Sequence, residues 1–273
     1  IVALNASTYK IILGVNTGDT EYFKKCFAPD EEREAYEAEL CATVEAEGAA
    51  LLKNENNALP LASGAKVSLF GHGSVDLMYG GTGSGSVDTS KAPNLKQALE
   101  AQGITINQTL WDLYSSDSMM SKYSRMTPAS ISDTLEANTQ YAVNEAPWSA
   151  LSSAESSFAE YGDAAIVVLS RSGGEGADLP SGENGTSDNW ISGQEGDGNY
   201  LALSAEEIEL LQNLKALKDN GTFKNIVVLI NSSNAIELDF LTPEICGEDY
   251  GIAAAKWIGD VGQTGITGLG PLL

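Results

Sequence analysis

Three continuous apolar runs constrain the fold more than any other feature of this sequence. They read "AAIVVLS", "NIVVLINSS" and "GIAAAKWIG", and they lack the apolar–polar alternation of a strand with one face in water. Strands that are buried on both faces have this pattern. A helical segment, "LSAEEIELLQNLKALKDNG", lies between the first two runs, with Ser204 and Glu207 as a capping box and Asn220-Gly221 as its end. The alternation predicts an α/β fold: a three-layer α/β sandwich with a mostly parallel sheet and helices on both faces.

Further elements extend the same alternation towards the N-terminus. The strand patterns are "ALLKN", before an Asn56-Asn57 turn, "KVSLFG" and "ITIN". The helical patterns are "DEEREAYEAELCATVEAEGAA", which Asp30 can cap, "NLKQALEAQG" before Gly103, and "ALSSAESSFAEYG". We therefore expect a lead-in segment with a helix over residues 1–42 and the sandwich domain over residues 43–273.

The charge of the chain narrows the partners that it can bind. The formal net charge is −23, with only 15 Lys and Arg residues in 273, and such a surface repels phosphate backbones and anionic lipids. We therefore expect neither a nucleic acid nor a membrane as a partner, and no apolar run is long enough to span a bilayer. The chain has three widely spaced cysteines, Cys26, Cys41 and Cys246. Their small, odd number argues against a disulfide framework and mildly favours a cytoplasmic protein over a secreted one.

Several motifs bear on whether the chain binds a cofactor or a metal. Gly71-x-Gly73-x-x-Asp76 follows a strand, but Asp76 stands where a dinucleotide site needs a third glycine. No Walker A motif is present. His72 is the only histidine, so a Ser–His triad and a histidine-based metal site lack ligands, and His72 itself is interpreted as a structural donor. We expect no cofactor and no metal. Five N-x-S/T sequons are interpreted as coincidence in a chain rich in Asn and Ser: Asn5, Asn107, Asn184, Asn220 and Asn231.

The glycine-rich segment "RSGGEGADLPSGENG", which runs from Arg171 to Gly185, follows the first buried run. Loops at the carboxyl ends of parallel strands carry the ligand sites of α/β sheets. Glu175 lies among small residues, so a sugar ring could approach its backbone, and partial burial would raise its pKa as a general acid requires. Glycoside hydrolysis needs a second carboxylate as well. Taken alone, these residues favour an ordinary solvated acid at Glu175 and leave the catalytic interpretation open.

Seven stretches, in order and at sensible spacing, resemble the landmarks of glycoside hydrolase family 3. The resemblance is to the second domain of its β-glucosidase-type members, an α/β sandwich, and it runs from about Thr43 to Leu273. The stretches are "EGAALLKNENNALPL", "KVSLFGHGSVD", "GGTGSGSVD", "AAIVVLSRSGGEGAD", "LSAEEIELLQNL", "IVVLINSSNAIEL" and "AKWIGDVGQTG".

The resemblance implies a function and a set of site residues. The family hydrolyses β-linked sugars with retention of configuration, using an Asp nucleophile on a separate (β/α)8 barrel domain. Many members carry the general acid/base in an S-G-E-G-x-D-R loop. That loop places Glu175 at the catalytic position, with Asp178 and Arg171 as substrate-binding residues. Here one additional glycine precedes Glu175, and Leu179 stands where Arg is usual.

The resemblance also implies partners. We expect a β-linked oligosaccharide or glucoside as substrate, and the barrel domain of the same enzyme as partner, since no stretch of this chain resembles the barrel. The sandwich would then precede the barrel, as in members with reversed domain order. The stretch "GGTGSGSVD" is interpreted either as a loop facing the sugar or the barrel, or as a tight turn. Trp190 is a candidate for stacking on a sugar. The alternative function is a non-catalytic carbohydrate-binding or scaffolding domain of the same fold.

Overall fold

The structure is a computed structural model that describes residues 30–81, 83–125, 142–173 and 200–273. The chain divides into two compact units, Ile1–Leu40 and Cys41–Leu273. In the first unit the described residues are helical and carry an exposed ion pair, in which Arg33 Nη1 lies 2.7 Å from Glu37 Oε2. The family-derived boundary at residue 42 stays a prediction.

The described helices and strands alternate along the chain. The α-helices are α1 (Asp30–Gly48), α2 (Leu95–Glu100), α3 (Gln108–Tyr114), α4 (Asp117–Met120), α5 (Ala205–Asp219) and α6 (Pro243–Cys246). The strands are β1 (Ala50–Asn54), β2 (Lys66–Phe70), β3 (Thr105–Ile106), β4 (Ala164–Ser170), β5 (Ile226–Asn231) and β6 (Ile252–Trp257). Each of the three apolar runs is a strand, as the sequence predicts.

The six strands form one sheet in the order β1-β6-β5-β4-β2-β3. Strands β2 to β6 run parallel to their neighbours, whereas β1 pairs antiparallel with β6. After β2 the chain adds β3 on one side of that strand, and it then crosses over and adds β4, β5 and β6 in turn on the other side. The position between β2 and β4, where the order of added strands reverses, is the topological switch point, at which open α/β sheets have their ligand crevice.

Both faces of the sheet are buried, which confirms the predicted α/β fold. In β4 the side chains of Ala165, Val167 and Leu169 join one apolar cluster, together with α3 and α5. Ala164, Ile166 and Val168 join the opposite cluster, together with α2 and the C-terminal turns. An alternating strand with two apolar faces explains why the run is continuously hydrophobic.

One segment differs from its predicted form. "ALSSAESSFAEYG" is not an α-helix but two 3-10 segments, Trp148–Leu151 and Glu155–Tyr161. The Ser157 hydroxyl donates to the Ala154 carbonyl oxygen at 2.6 Å, and such serine bonds to the backbone compete with α-helical pairing. At the C-terminal end of the described chain lie two 3-10 turns, Gly265–Gly268 and Gly270–Leu272. Gly268 packs directly on the backbone of α1 at Ala42, where no Cβ atom would fit.

Candidate functional site

The candidate site is the carboxyl edge of the sheet at the switch point. The segment Gly71–Ser74 follows β2, and Arg171–Gly173 follows β4 beside it. The two segments are in close contact: Gly71 has a φ of 82°, and a Cβ there would lie 2.7 Å from the Val168 carbonyl oxygen. The segment that carries Glu175 therefore starts at the switch point.

The predicted site residues have different positions relative to the described residues. Glu175, Asp178 and Trp190 lie outside the described part of the chain, so their roles stay predictions. Arg171 is described, and its side chain is fully buried. Its contact with substrate stays a prediction.

The guanidinium of Arg171 uses all five of its N–H donors within the chain. Nε donates to the Tyr200 carbonyl oxygen at 2.7 Å. Nη1 donates to the Ser170 carbonyl oxygen at 3.0 Å and to Glu207 Oε1 at 2.8 Å. Nη2 donates to the Ala202 carbonyl oxygen at 2.6 Å and to Glu207 Oε2 at 2.7 Å. Burial opposes the charge, but the Glu207 carboxylate outweighs this effect, and the pKa of Arg171 lies above its usual value.

Glu207 serves two structures at once. It is the third residue of α5 and completes the predicted capping box, since its Oε2 accepts from the Ser204 N–H at 2.8 Å and its own N–H donates to Ser204 Oγ at 3.2 Å. The same carboxylate forms the two bonds to Arg171. The capping box was visible in the sequence, but the ion pair with Arg171 was not, because 35 residues of chain separate the two.

Tyr200 links the two ends of the intervening segment. Its hydroxyl accepts from the Ser172 N–H at 2.9 Å and donates to the Ser172 carbonyl oxygen at 3.3 Å. Its ring centroid lies 5.6 Å from Arg171 Cζ. The ends of residues 173–200 are thus held together by side chains that are all buried.

A second buried group, the Asn231 amide, joins two loops and the end of β4 at the same edge. Its Oδ1 accepts from the Met78 N–H at 2.6 Å and from Ser170 Oγ at 3.1 Å. Its Nδ2 donates to the carbonyl oxygens of Met78 at 3.0 Å and Gly259 at 2.7 Å. The amide is fully bonded, and it ties the ends of β4 and β5 to the loops after β2 and β6. The sequence marked Asn231 only as part of a sequon.

His72 has the structural role that the sequence favoured. Its side chain is buried, and Nδ1 lies 2.9 Å from Glu145 Oε2, which also accepts from the His72 N–H at 2.9 Å. Because the carboxylate can only accept, Nδ1 carries the proton if Glu145 is ionised. Glu145 Oε1 accepts from the Ala146 N–H at 2.9 Å. The pair pins the loop after β2 to the segment that begins at residue 142, and no sequence motif pointed to Glu145.

A polar cleft of about 430 Å³ lies beside the loop after β2 and includes part of "GGTGSGSVD". One wall holds an ion pair, with Arg125 Nη2 3.1 Å from Asp76 Oδ1. A residue of the loop after β6 also binds this stretch, since Gln263 Nε2 donates to the Asp88 carbonyl oxygen at 2.8 Å. The described residues of the stretch are compatible with both interpretations, a loop facing a ligand and a tight turn.

The described residues were compared with the requirements of a metal site and of a membrane-spanning helix. The His, Cys, Asp and Glu side chains of the described residues form no group of three or more that could hold a metal ion. None of the helices in the described ranges combines the length and apolarity needed to cross a bilayer.

The comparison with protein families decides the identity. The model of the glycosyl hydrolase family 3 C-terminal domain matches residues 49–267, which is most of the chain. The chain belongs to glycoside hydrolase family 3. Within this family it is similar to "Beta-glucosidase A" of Butyrivibrio fibrisolvens, with 34% identity over 146 residues, which are 51% of this chain and 15% of that protein.

Solved structures share the fold of this family 3 domain. A β-glucosidase from Paenibacillus barengoltzii has 24% identity and a TM-score of 0.59, over 85% of this chain and 22% of that chain. β-Glucosidase 3B from Thermotoga neapolitana, in complex with glucose, has 23% identity and a TM-score of 0.60, over 89% of this chain and 29% of that chain. The chain therefore spans less than a third of the length of these relatives.

Proposed function

We propose that this family 3 domain supplies the general acid/base of a retaining β-glycosidase of the β-glucosidase type. The observation that carries the proposal is the origin of the Glu175 segment at the switch point, with both of its ends fixed by Arg171, Glu207 and Tyr200. The similarity to a β-glucosidase and the S-G-E-G-like sequence around Glu175 support it. The nucleophile would come from a (β/α)8 barrel domain of the same enzyme, and the substrate would be a β-linked oligosaccharide or glucoside.

The proposed reaction has two steps. In the first, an Asp carboxylate of the barrel attacks the anomeric carbon while Glu175 donates its proton to the departing glycosidic oxygen. A covalent glycosyl-enzyme and a free aglycone result. In the second step Glu175, now ionised, removes a proton from water, which attacks the anomeric carbon and releases the sugar and the Asp carboxylate. Retention requires the two carboxyl groups to lie about 5 Å apart. Asp178 would contact the substrate beside Glu175.

Replacing Glu175 by Gln in the complete enzyme, meaning this chain with its barrel domain, tests the acid role. We expect kcat/KM for a disaccharide, whose leaving group needs protonation, to fall by about 100-fold or more. For a dinitrophenyl glucoside, whose leaving group departs unprotonated, we expect a loss of less than about 10-fold. The quotient kcat/KM is measured because it reports the first chemical step.

Glu183→Gln is the matched control, since Glu183 is another carboxylate of the same segment. We expect both substrates to keep their kcat/KM values in this variant. A loss of equal size on both substrates in Glu175→Gln would contradict the acid role.

A non-catalytic carbohydrate-binding domain is the second candidate. It is favoured by Leu179, which replaces the Arg that is usual in the family loop. Under this alternative Glu175→Ala would leave hydrolysis by the complete enzyme unchanged, while this chain would bind the disaccharide in a calorimetric titration.

A further inference from the structure

We propose that the buried Arg171–Glu207 ion pair is the positioning device of Glu175, and that Arg171 acts in catalysis through this pair rather than by touching the sugar. The inference rests on the proposed function, in which Glu175 is the general acid. It assigns a task to two residues that would otherwise count as a substrate contact and a helix cap.

The pair joins three separate parts of the domain. Arg171 follows β4 directly and contacts its last residue, Ser170. The same guanidinium binds the carbonyl oxygens of Tyr200 and Ala202, which lie beyond the Glu175 segment. Glu207 belongs to the first turn of α5. The planar guanidinium of Arg171 therefore connects the end of β4, the chain at Tyr200 and Ala202, and the first turn of α5.

The bidentate form of this ion pair determines what it contributes to the protein. The side chains of Arg171 and Glu207 are 0% and 1% exposed, and a buried ion pair stabilises a protein no more, and often less, than well-packed apolar side chains would. The bidentate geometry, in contrast, defines both distance and orientation between the partners. An ion pair at this location thus favours accuracy of position over stability.

The start of the Glu175 segment is held from a second side. Gly173 packs against the Asn234 side chain, and a Cβ at Gly173 would lie 2.5 Å from Asn234 Nδ2. Glu175 follows Gly173 by two residues. The last described residue before Glu175 is therefore fixed on two sides, by Asn234 and by the Arg171 end of β4.

A direct contact between Arg171 and substrate is disfavoured by its hydrogen bonds. All five donors are used, and the side chain is fully buried. A sugar hydroxyl could bind only by displacing a carbonyl oxygen or the Glu207 carboxylate. Displacement of that kind would leave a buried group unpaired, which is costly.

The test uses the complete enzyme and four variants. Arg171→Lys keeps the charge but loses the bidentate fork, and Glu207→Gln keeps the shape of the cap but loses the charge. Tyr200→Phe removes only the hydroxyl that bonds to Ser172, and it serves as the second measurement if the first two variants fail to fold. The control is Lys215→Met, which breaks an exposed ion pair with Asp219 on the same helix.

We expect Arg171→Lys to lower kcat/KM for the disaccharide by about 100-fold, as a misplacement of about 1 Å can do, and for the dinitrophenyl glucoside by less than about 10-fold. Glu207→Gln and Tyr200→Phe should show the same substrate dependence with smaller losses, and the control should show none. The basic limb of the pH profile for the disaccharide should also move, because it reports the environment of the acid.

Glu175→Gln, measured alongside, separates the two proposals. If it shows no dependence on the leaving group, the proposed function fails and the inference with it. If Glu175→Gln does depend on the leaving group, but the folded variants of Arg171, Glu207 and Tyr200 lose kcat/KM equally on both substrates or not at all, only the positioning role of the pair is overturned. Folding is checked for each variant by circular dichroism and by the thermal midpoint.

Discussion

At the scale of single residues, two buried asparagines have every polar side-chain atom hydrogen-bonded and connect neighbouring strands and loops of the sheet. Asn231 is fully buried, and its amide forms four hydrogen bonds, to two loops and to the last residue of β4. Asn107 is also buried; its side chain caps α3 and binds the hydroxyls of Ser68 and Ser157. Neither side chain is accessible to a glycosylating enzyme in the folded domain, which agrees with the interpretation of their sequons as coincidence.

Replacing Asn231 by Ala tests the importance of this amide. The change removes the acceptor of the Met78 N–H and of the Ser170 hydroxyl in a buried site, whereas the Met78 carbonyl oxygen keeps its bond from the Val261 N–H at 3.2 Å. We therefore expect the free energy of unfolding to fall by about 3 kcal/mol, measured by urea denaturation of this chain. Asn213→Ala is the control, because within the described part of the chain the Asn213 side chain donates to the exposed Glu209 carbonyl oxygen on its own helix, and we expect a change within about 0.5 kcal/mol. Equal losses in both variants would contradict the proposed importance of the Asn231 amide.

At the scale of elements, the contact between α1 and the C-terminal turns contains an acid in an unfavourable place. Glu45 lies in the last turns of α1, against Gly265, and its Oε1 is buried without a hydrogen-bond partner among the described residues. Burial raises the pKa of Glu45 to about 7. The nearby negative end of the helix dipole adds to the cost of its charge.

This shift predicts a pH dependence of stability. The folded state holds the proton of Glu45 more tightly than the unfolded state, so the contribution of this group to stability is complete below about pH 4.5 and is lost as the pH rises to about 7. Glu45→Gln should therefore be more stable than the wild type at about pH 8, and the two should be equal at about pH 4. Because the carboxyl is partly exposed, solvent screening limits the expected gain to about 1 kcal/mol.

Urea denaturation at the two pH values measures this difference. Glu47→Gln is the matched control, since Glu47 is exposed on the same helix. A gain in Glu45→Gln that is independent of pH would show that charge on Glu45 is not the cause.

Elements with a strong local signal were predicted correctly. Strands β4, β5 and β6 follow from their apolar runs, and α5 follows from its capping box and its end at Asn220. The segment "ALSSAESSFAEYG", Ala150 to Gly162, is predicted as a helix, because its composition suits one. Its real form depends on the packing of Trp148 and Phe158 around Phe70, at centroid distances of 6.4 and 5.2 Å, which local sequence does not reveal.

At the scale of the whole molecule, the dominant property is the net charge of −23. Mutual repulsion of surface carboxylates destabilises a compact state, and salt screens it. We expect the urea midpoint of this chain to rise as NaCl increases from about 0.01 M to about 0.3 M, by an amount equivalent to about 1 kcal/mol. Sucrose at equal osmolality is the control for effects unrelated to charge, and a midpoint that falls with salt would contradict the expectation.

The α/β class and the succession of strands along the chain follow from local sequence patterns, since burial on both faces and helix capping are recorded in neighbouring residues. Glu175 is a candidate acid through the family resemblance alone. The strand order in the sheet, and with it the switch point, required the three-dimensional structure. That structure also decided the pairing of Arg171 with Glu207 and the surroundings of Asn231 and Glu145. Those contacts join residues far apart in the chain, and their free energy depends on burial, which arises only when the sheet has assembled.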